Sequence, residues 1–159
     1  MSNDCEACNS GADAFFAKID QQIAEYGWSV IATGTQLATG EVSMAYTIGL
    51  AEKGLPEIIV FGLPAHIAQV LLNEAAFRLL KNELPLGVKV DDLANLPTFF
   101  RSVEPEAAAP YIIQANNRAG RELPALQLVW PDRAGKLPWE EGADPAFKAV
   151  QPELFNPLN

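Results

Sequence analysis

The chain has one histidine, two cysteines and eleven Lys and Arg residues in 159. Each scarcity excludes something. A single imidazole, His66, cannot build a multi-histidine metal site within one chain, and any Ser-His-Asp or Cys-His mechanism would have to pass through it. Eleven basic residues against twenty acidic ones give a net charge of −9, and no Lys/Arg stripe offsets it. That charge repels phosphate backbones, so a nucleic-acid partner is not expected. The longest apolar tract, residues 58–72, is interrupted by Pro64 and His66 and falls short of the roughly 20 residues that span a bilayer. "MSNDCEACNSG" is polar and acidic, unlike a secretory leader, and the expected location is cytoplasmic. In that reducing setting Cys5 and Cys8 are expected to be thiols rather than a disulfide. Absent too are a phosphate-binding glycine loop, G-x-G-x-x-G after a strand, H-E-x-x-H and G-x-S-x-G.

What remains is an ordinary globular composition, 49% hydrophobic and 19% charged, long enough for one domain. Residues 1–12 read as a flexible tail carrying Cys5-x-x-Cys8, and residues 13–159 as a single domain. From Asp13 the spacing of Phe16, Ile19, Ile23 and Tyr26 is that of an amphipathic helix capped by Ser10 or Asp13 and ended by Gly27. A short strand at 28–33 and a turn-rich connection at 34–40 follow. Strands are expected at 42–50 and 57–63, the second so apolar that it should lie buried on both faces at a sheet centre. Pro64 opens a helix over 64–82 that covers the sheet. Further strands are expected at 87–92, 98–104 and 125–132, and a helix over 105–120 kinked or divided at Pro110. The pattern predicts an α+β fold: a mostly antiparallel sheet, or a small open split-barrel-like barrel, covered by two or three helices.

Polar and aromatic residues at the ends of these apolar runs are the candidates for chemistry. Tyr46 and Thr47 point to opposite faces of one strand, so one of them at most faces a given pocket. Glu57 opens a buried strand and must reach solvent, an arginine such as Arg101, or backbone N–H groups. His66 sits in the first turn of the 64–82 helix. There the dipole favours a neutral ring, and free N–H groups could hold an anion; a helix-start histidine bonded to a nearby carbonyl is the commoner role. Trp130 and Trp139 flank a turn, with Asp132 as a polar anchor. They form either a wall for a flat ligand or, more often, the closed edge of a core. Cys5 and Cys8 have the spacing of half a zinc site, completed only if two tails pooled in a homodimer.

"GWSV", "AYTIGL", "LPEIIVFGL", "LQLVWPD", "LPWE" and "QPEL", in that order, resemble the bacterial family of domain of unknown function 4262. The resemblance spans roughly residues 19–154 and extends to a Cys-x-x-Cys near the start of some members. It implies no activity, substrate or cofactor. It marks Tyr46, Thr47, Gly49, Pro56, Glu57, Gly62, Gln127, Trp130, Asp132, Trp139 and Gln151 as motif positions. In outline the strand order is also similar to flavin-reductase-like split barrels, which bind FMN, although no Arg/Lys/Ser cluster for its phosphate is evident. The leading expectation is a small-ligand pocket formed from Tyr46, Thr47, Glu57, His66, Gln127, Trp130, Asp132 and Trp139. The alternatives are an immunity- or adaptor-like module that uses its acidic surface on a basic protein, and an FMN enzyme.

Overall fold

The computed structural model describes residues 3–37 and 40–155, with side chains from residue 13 onward. Its chain order is α1 (Asn3–Tyr26), β1 (Ser29–Leu37), β2 (Gly40–Ile48), a 3₁₀ turn (Leu50–Lys53), β3 (Glu57–Phe61), α2 (Ala65–Leu80), β4 (Lys89–Leu93), β5 (Leu96–Val103), α3 (Pro105–Ala108), α4 (Ile113–Ala119), β6 (Ala125–Val129) and α5 (Pro145–Ala149). The strands make one open sheet in the order β1-β2-β3-β6-β5-β4, antiparallel throughout except for β3 beside β6. The fold is therefore α+β. Two free edges, β1 and β4, mean that the sheet does not close. Of the forms expected, the structure has the mostly antiparallel open sheet, flanked by helices.

β3 is buried along its whole length and lies inside the sheet between β2 and β6, as its unbroken apolar run requires. Its two faces feed two separate cores. Ile58 and Val60 pack with Ala45, Leu126, Leu128 and Phe100 beneath Ala68, Leu71, Leu72, Ala75 and Ala76 of α2. Ile59 and Phe61 pack on the opposite side with Met44, Tyr46, Val129 and Phe99, under Ile19 of α1 and Ala108, Ile112 and Ala115 from the α3–α4 region.

The helix expected over 105–120 is divided, α3 ending before Pro110 and α4 beginning after it. Three readings are corrected. Helical backbone begins at Asn3 rather than at Asp13, because the segment holds no proline and its one glycine, Gly11, costs only about 1 kcal/mol in a helix. The Cys5 and Cys8 side chains, with the zinc question they raise, lie outside the described residues. Residues 34–37 continue β1 instead of forming a loop, since Gly34 through Leu37 pair in register with Ser43 through Gly40. Finally, only Ile19 and Ile23 of the α1 stripe are drawn inward, while Phe16 and Tyr26 stay exposed. Among the described residues no helix is long and apolar enough to cross a membrane.

Candidate functional site

Of the eight residues singled out by the sequence, seven turn inward on the protein and His66 does not. Glu57 and Thr47 form the first of three groups, 1% and 0% exposed. Glu57 accepts from the Thr47 hydroxyl (2.9 Å) and from the backbone N–H groups of Gly49 (3.2 Å), Leu50 (3.3 Å) and Ala51 (3.0 Å). It thereby caps the 3₁₀ turn, whose first N–H groups have no partner of their own. Thr47 Oγ1 in turn accepts from Ile58 N–H at 2.8 Å. Of the partners open to this carboxylate, the backbone was used and not Arg101, whose guanidinium lies over the Phe155 ring at 4.2 Å. Burial pushes the Glu57 carboxyl up, against the downward pull of its four donors. Gly49 makes the cap reachable: its φ of +109° is left-handed, and a Cβ there would stand 2.8 Å from Ile23. Tyr46 points to the opposite face, where its hydroxyl accepts from Gln114 N–H at 3.2 Å and burial raises its pKa.

The second group ties the C-terminal segment to the sheet. Gln127 donates to Pro152 O (2.6 Å) and accepts from Leu154 N–H (3.0 Å). The Trp130 backbone exchanges two hydrogen bonds with the Gln151 side chain, at 3.1 and 3.0 Å. Its indole N–H donates to Phe61 O at 2.6 Å, and its ring meets Phe147 edge-on. In the third group, Asp132 accepts from Ala134, Lys136 and Asp144 N–H at 2.8–2.9 Å, and these bonds hold its carboxyl below the usual range. Trp139 packs edge-on against Phe99 and Phe155. His66 is exposed on the first turn of α2. None of the eight lines any of the three cavities described below. Among the described residues, no group of three or more His, Cys, Asp or Glu could hold a metal ion.

The largest of those cavities lies elsewhere. A groove of about 660 Å³ runs between the end of α1, the start of β1 and the outer side of α2. Its walls are Tyr26, Trp28, Val30, Phe77 and Leu80, and its polar groups come from Gln22, Glu25, Ser29, Gln69, Asn73 and Lys81. A second hollow of about 480 Å³ shares Trp28, Asn73 and Phe77 with it and extends to Val70 and Ala94. The local reason is plain. Gly27, at φ +102°, stops α1 and turns the chain so that Trp28 stands just before the edge strand β1. The Trp28 indole then donates to Asn73 Oδ1 at 2.9 Å, fixing the ring against a helix 45 residues away. Tyr26 is 61% exposed, Phe77 48% and Val70 59%. A third cavity of about 350 Å³, near Phe16 and Ile48, has Arg118 in its wall already paired with Asp20 and Glu52.

Sequence reasoning missed this groove because Trp28 and Asn73 meet only in three dimensions. A signal existed in α2, where Ile67, Val70 and Phe77 are apolar on the side that the core does not need.

An open, mostly antiparallel α+β sheet with two cores, and a groove where the α1 end meets α2, defines the class of domain. The chain belongs to the family of domain of unknown function DUF4262, whose sequence model matches residues 22–144. That span takes in the groove residues from Gln22 to Lys81 but stops before the "QPEL" segment. No curated protein and no solved structure among those compared matches the chain.

Proposed function

We propose that the domain binds a small ligand with an aromatic or flat apolar body in the groove at Trp28. A cavity of about 660 Å³ with aromatic walls and a few fixed polar groups has the size and make-up of small-molecule sites, which run roughly 300–1,000 Å³. The observation that carries this reading is the Trp28–Asn73 hydrogen bond. An aromatic ring otherwise free to turn is locked on the groove wall before any ligand arrives, which lowers the ordering cost of binding.

A thermal-shift screen of aromatic fragment pools on the intact protein tests the proposal. A ligand at one hundred times its Kd adds about 2.7 kcal/mol, or roughly 5–10 °C in Tm for a chain of this size. Phe77→Ser removes a half-exposed wall residue and should itself cost no more than about 0.5 kcal/mol. Pools that stabilise the wild type are expected to leave the Phe77→Ser protein nearly unshifted. Equal shifts in both proteins, or no stabilising pool, would reject the groove.

A further inference from the structure

We infer that the ligand of this groove is an aromatic carboxylate: a flat apolar body whose polar edge accepts hydrogen bonds. This rests on the groove being a ligand site and adds the chemistry of what it takes.

The groove's amides are already committed, and in one sense. An indole N–H can only donate, so the Asn73 carbonyl is the atom used at 2.9 Å and its NH₂ is left over. The Ser29 hydroxyl donates to Gln22 Oε1, which engages a second carbonyl and leaves a second NH₂. Both residues line the cavity, and among the described residues neither amide nitrogen has another partner. Lys81 adds an ammonium to the same wall, 4.3 Å from the centre of the Phe77 ring.

Gln69 offers one of each kind, the Tyr26 and Ser29 hydroxyls can accept, and Glu25 is the single carboxylate of the lining. Glu74, in the adjoining hollow, is paired with Arg78, and Arg78 is shared with Asp92 at 2.7 Å. Two amide NH₂ groups without a partner among the described residues and one ammonium, beside aromatic walls, suit a ligand that brings acceptors. The ammonium selects an anion over a neutral carbonyl, since charge-assisted hydrogen bonds are roughly twice as strong as neutral ones. Its position matters in a chain of net charge −9, whose general field repels anions.

The test compares two probes with one ring, 2-naphthoate and 2-naphthylmethylamine, by calorimetry on the intact protein. The wild type is expected to bind the carboxylate at least tenfold more tightly than the amine. Asn73→Asp keeps an oxygen for the Trp28 indole but replaces the NH₂ with a second oxygen. It should weaken naphthoate at least tenfold and narrow or reverse the preference, with an unchanged circular dichroism spectrum. Equal affinity for the two probes, or unchanged naphthoate affinity in Asn73→Asp, would overturn the inference while leaving a ligand site in place. If neither probe binds although fragment pools still stabilise the protein, the carboxylate assignment alone is rejected. If neither binds and no pool stabilises, the groove falls with it.

Discussion

Replacing Glu57 with alanine is expected to lower the folding stability by about 3–5 kcal/mol, measured by urea denaturation. The change removes the acceptor of four donors at once: the Thr47 hydroxyl and the N–H groups of Gly49, Leu50 and Ala51. A buried donor stripped of its partner costs about 1–3 kcal/mol, and the sum is reduced where water can reach, as it can at the partly buried Ala51. Against a typical total of about 5–15 kcal/mol that is a large share. Glu57→Gln keeps one acceptor oxygen but turns an NH₂ toward N–H donors, so it should lose about half as much. A Glu57→Ala protein as stable as the wild type would mean that the 3₁₀ turn does not need its cap.

The same residue makes a signed prediction with pH. Burial raises the Glu57 carboxyl above its unfolded value, although four hydrogen bonds pull it down. The folded state therefore holds the proton more tightly than the unfolded chain does. This contribution is fully present below the unfolded value, about 4.3 for an ordinary glutamate, and is lost as pH rises through the folded one. Asp92, Asp132 and Glu140 are shifted downward and act in the opposite direction, so the raw stability curve mixes both. Subtracting Glu57→Gln from wild type isolates the one group. The deficit of the variant is expected to shrink as pH rises above the ordinary glutamate range. A deficit that grows with pH would show that the four donors outweigh burial.

Trp130→Ala is expected to cost about 4–5 kcal/mol. A buried Trp or Phe cut to alanine typically loses about 3–5 kcal/mol through lost transfer and the cavity left behind. Here the Phe61 carbonyl also loses the indole N–H at 2.6 Å, and Phe147 of α5 loses the ring it meets edge-on. The neighbouring backbone has grown around this ring. Gly62 has φ +85°, and a Cβ there would stand 2.9 Å from Trp130 Cζ2. The effect should therefore be uneven. Amide exchange in Phe147–Gln151 is expected to accelerate more than in β5, because Phe147 of α5 loses the ring it packs against. Uniform acceleration would contradict that attachment. Trp130→Phe, which keeps an aromatic ring but drops the donor, separates the hydrogen bond from the packing.

The architecture was legible where one local force dominates. An unbroken β-branched run placed β3 inside the sheet, Gly27 ended α1 and Pro110 divided the 105–120 helix. Helix starts were less legible, since residues 3–12 of α1 are small and polar and carry no apolar stripe. The eight candidate residues line none of the three cavities, for a physical reason. Glu57, Thr47, Gln127 and Asp132 stood out as polar groups beside apolar runs, yet a polar group buried there must find partners within the protein, and each does. Groups with capacity left over, such as the Asn73 and Gln22 amides, sit on ordinary helix surfaces and carry no mark in the sequence. Only the surplus of apolar residues on α2 pointed toward them.

The central claim is that the free binding capacity lies at Trp28 and not among the strand-end residues. The three indole N–H resonances of Trp28, Trp130 and Trp139 report on it directly, in a ¹⁵N-labelled protein titrated with 2-naphthoate. The expected result is a saturable shift of the Trp28 resonance, together with the backbone amides of Tyr26–Val30 and Gln69–Lys81, while Trp130 and Trp139 stay in place. A saturable shift of Trp130 or Trp139 with Trp28 unmoved would contradict the account.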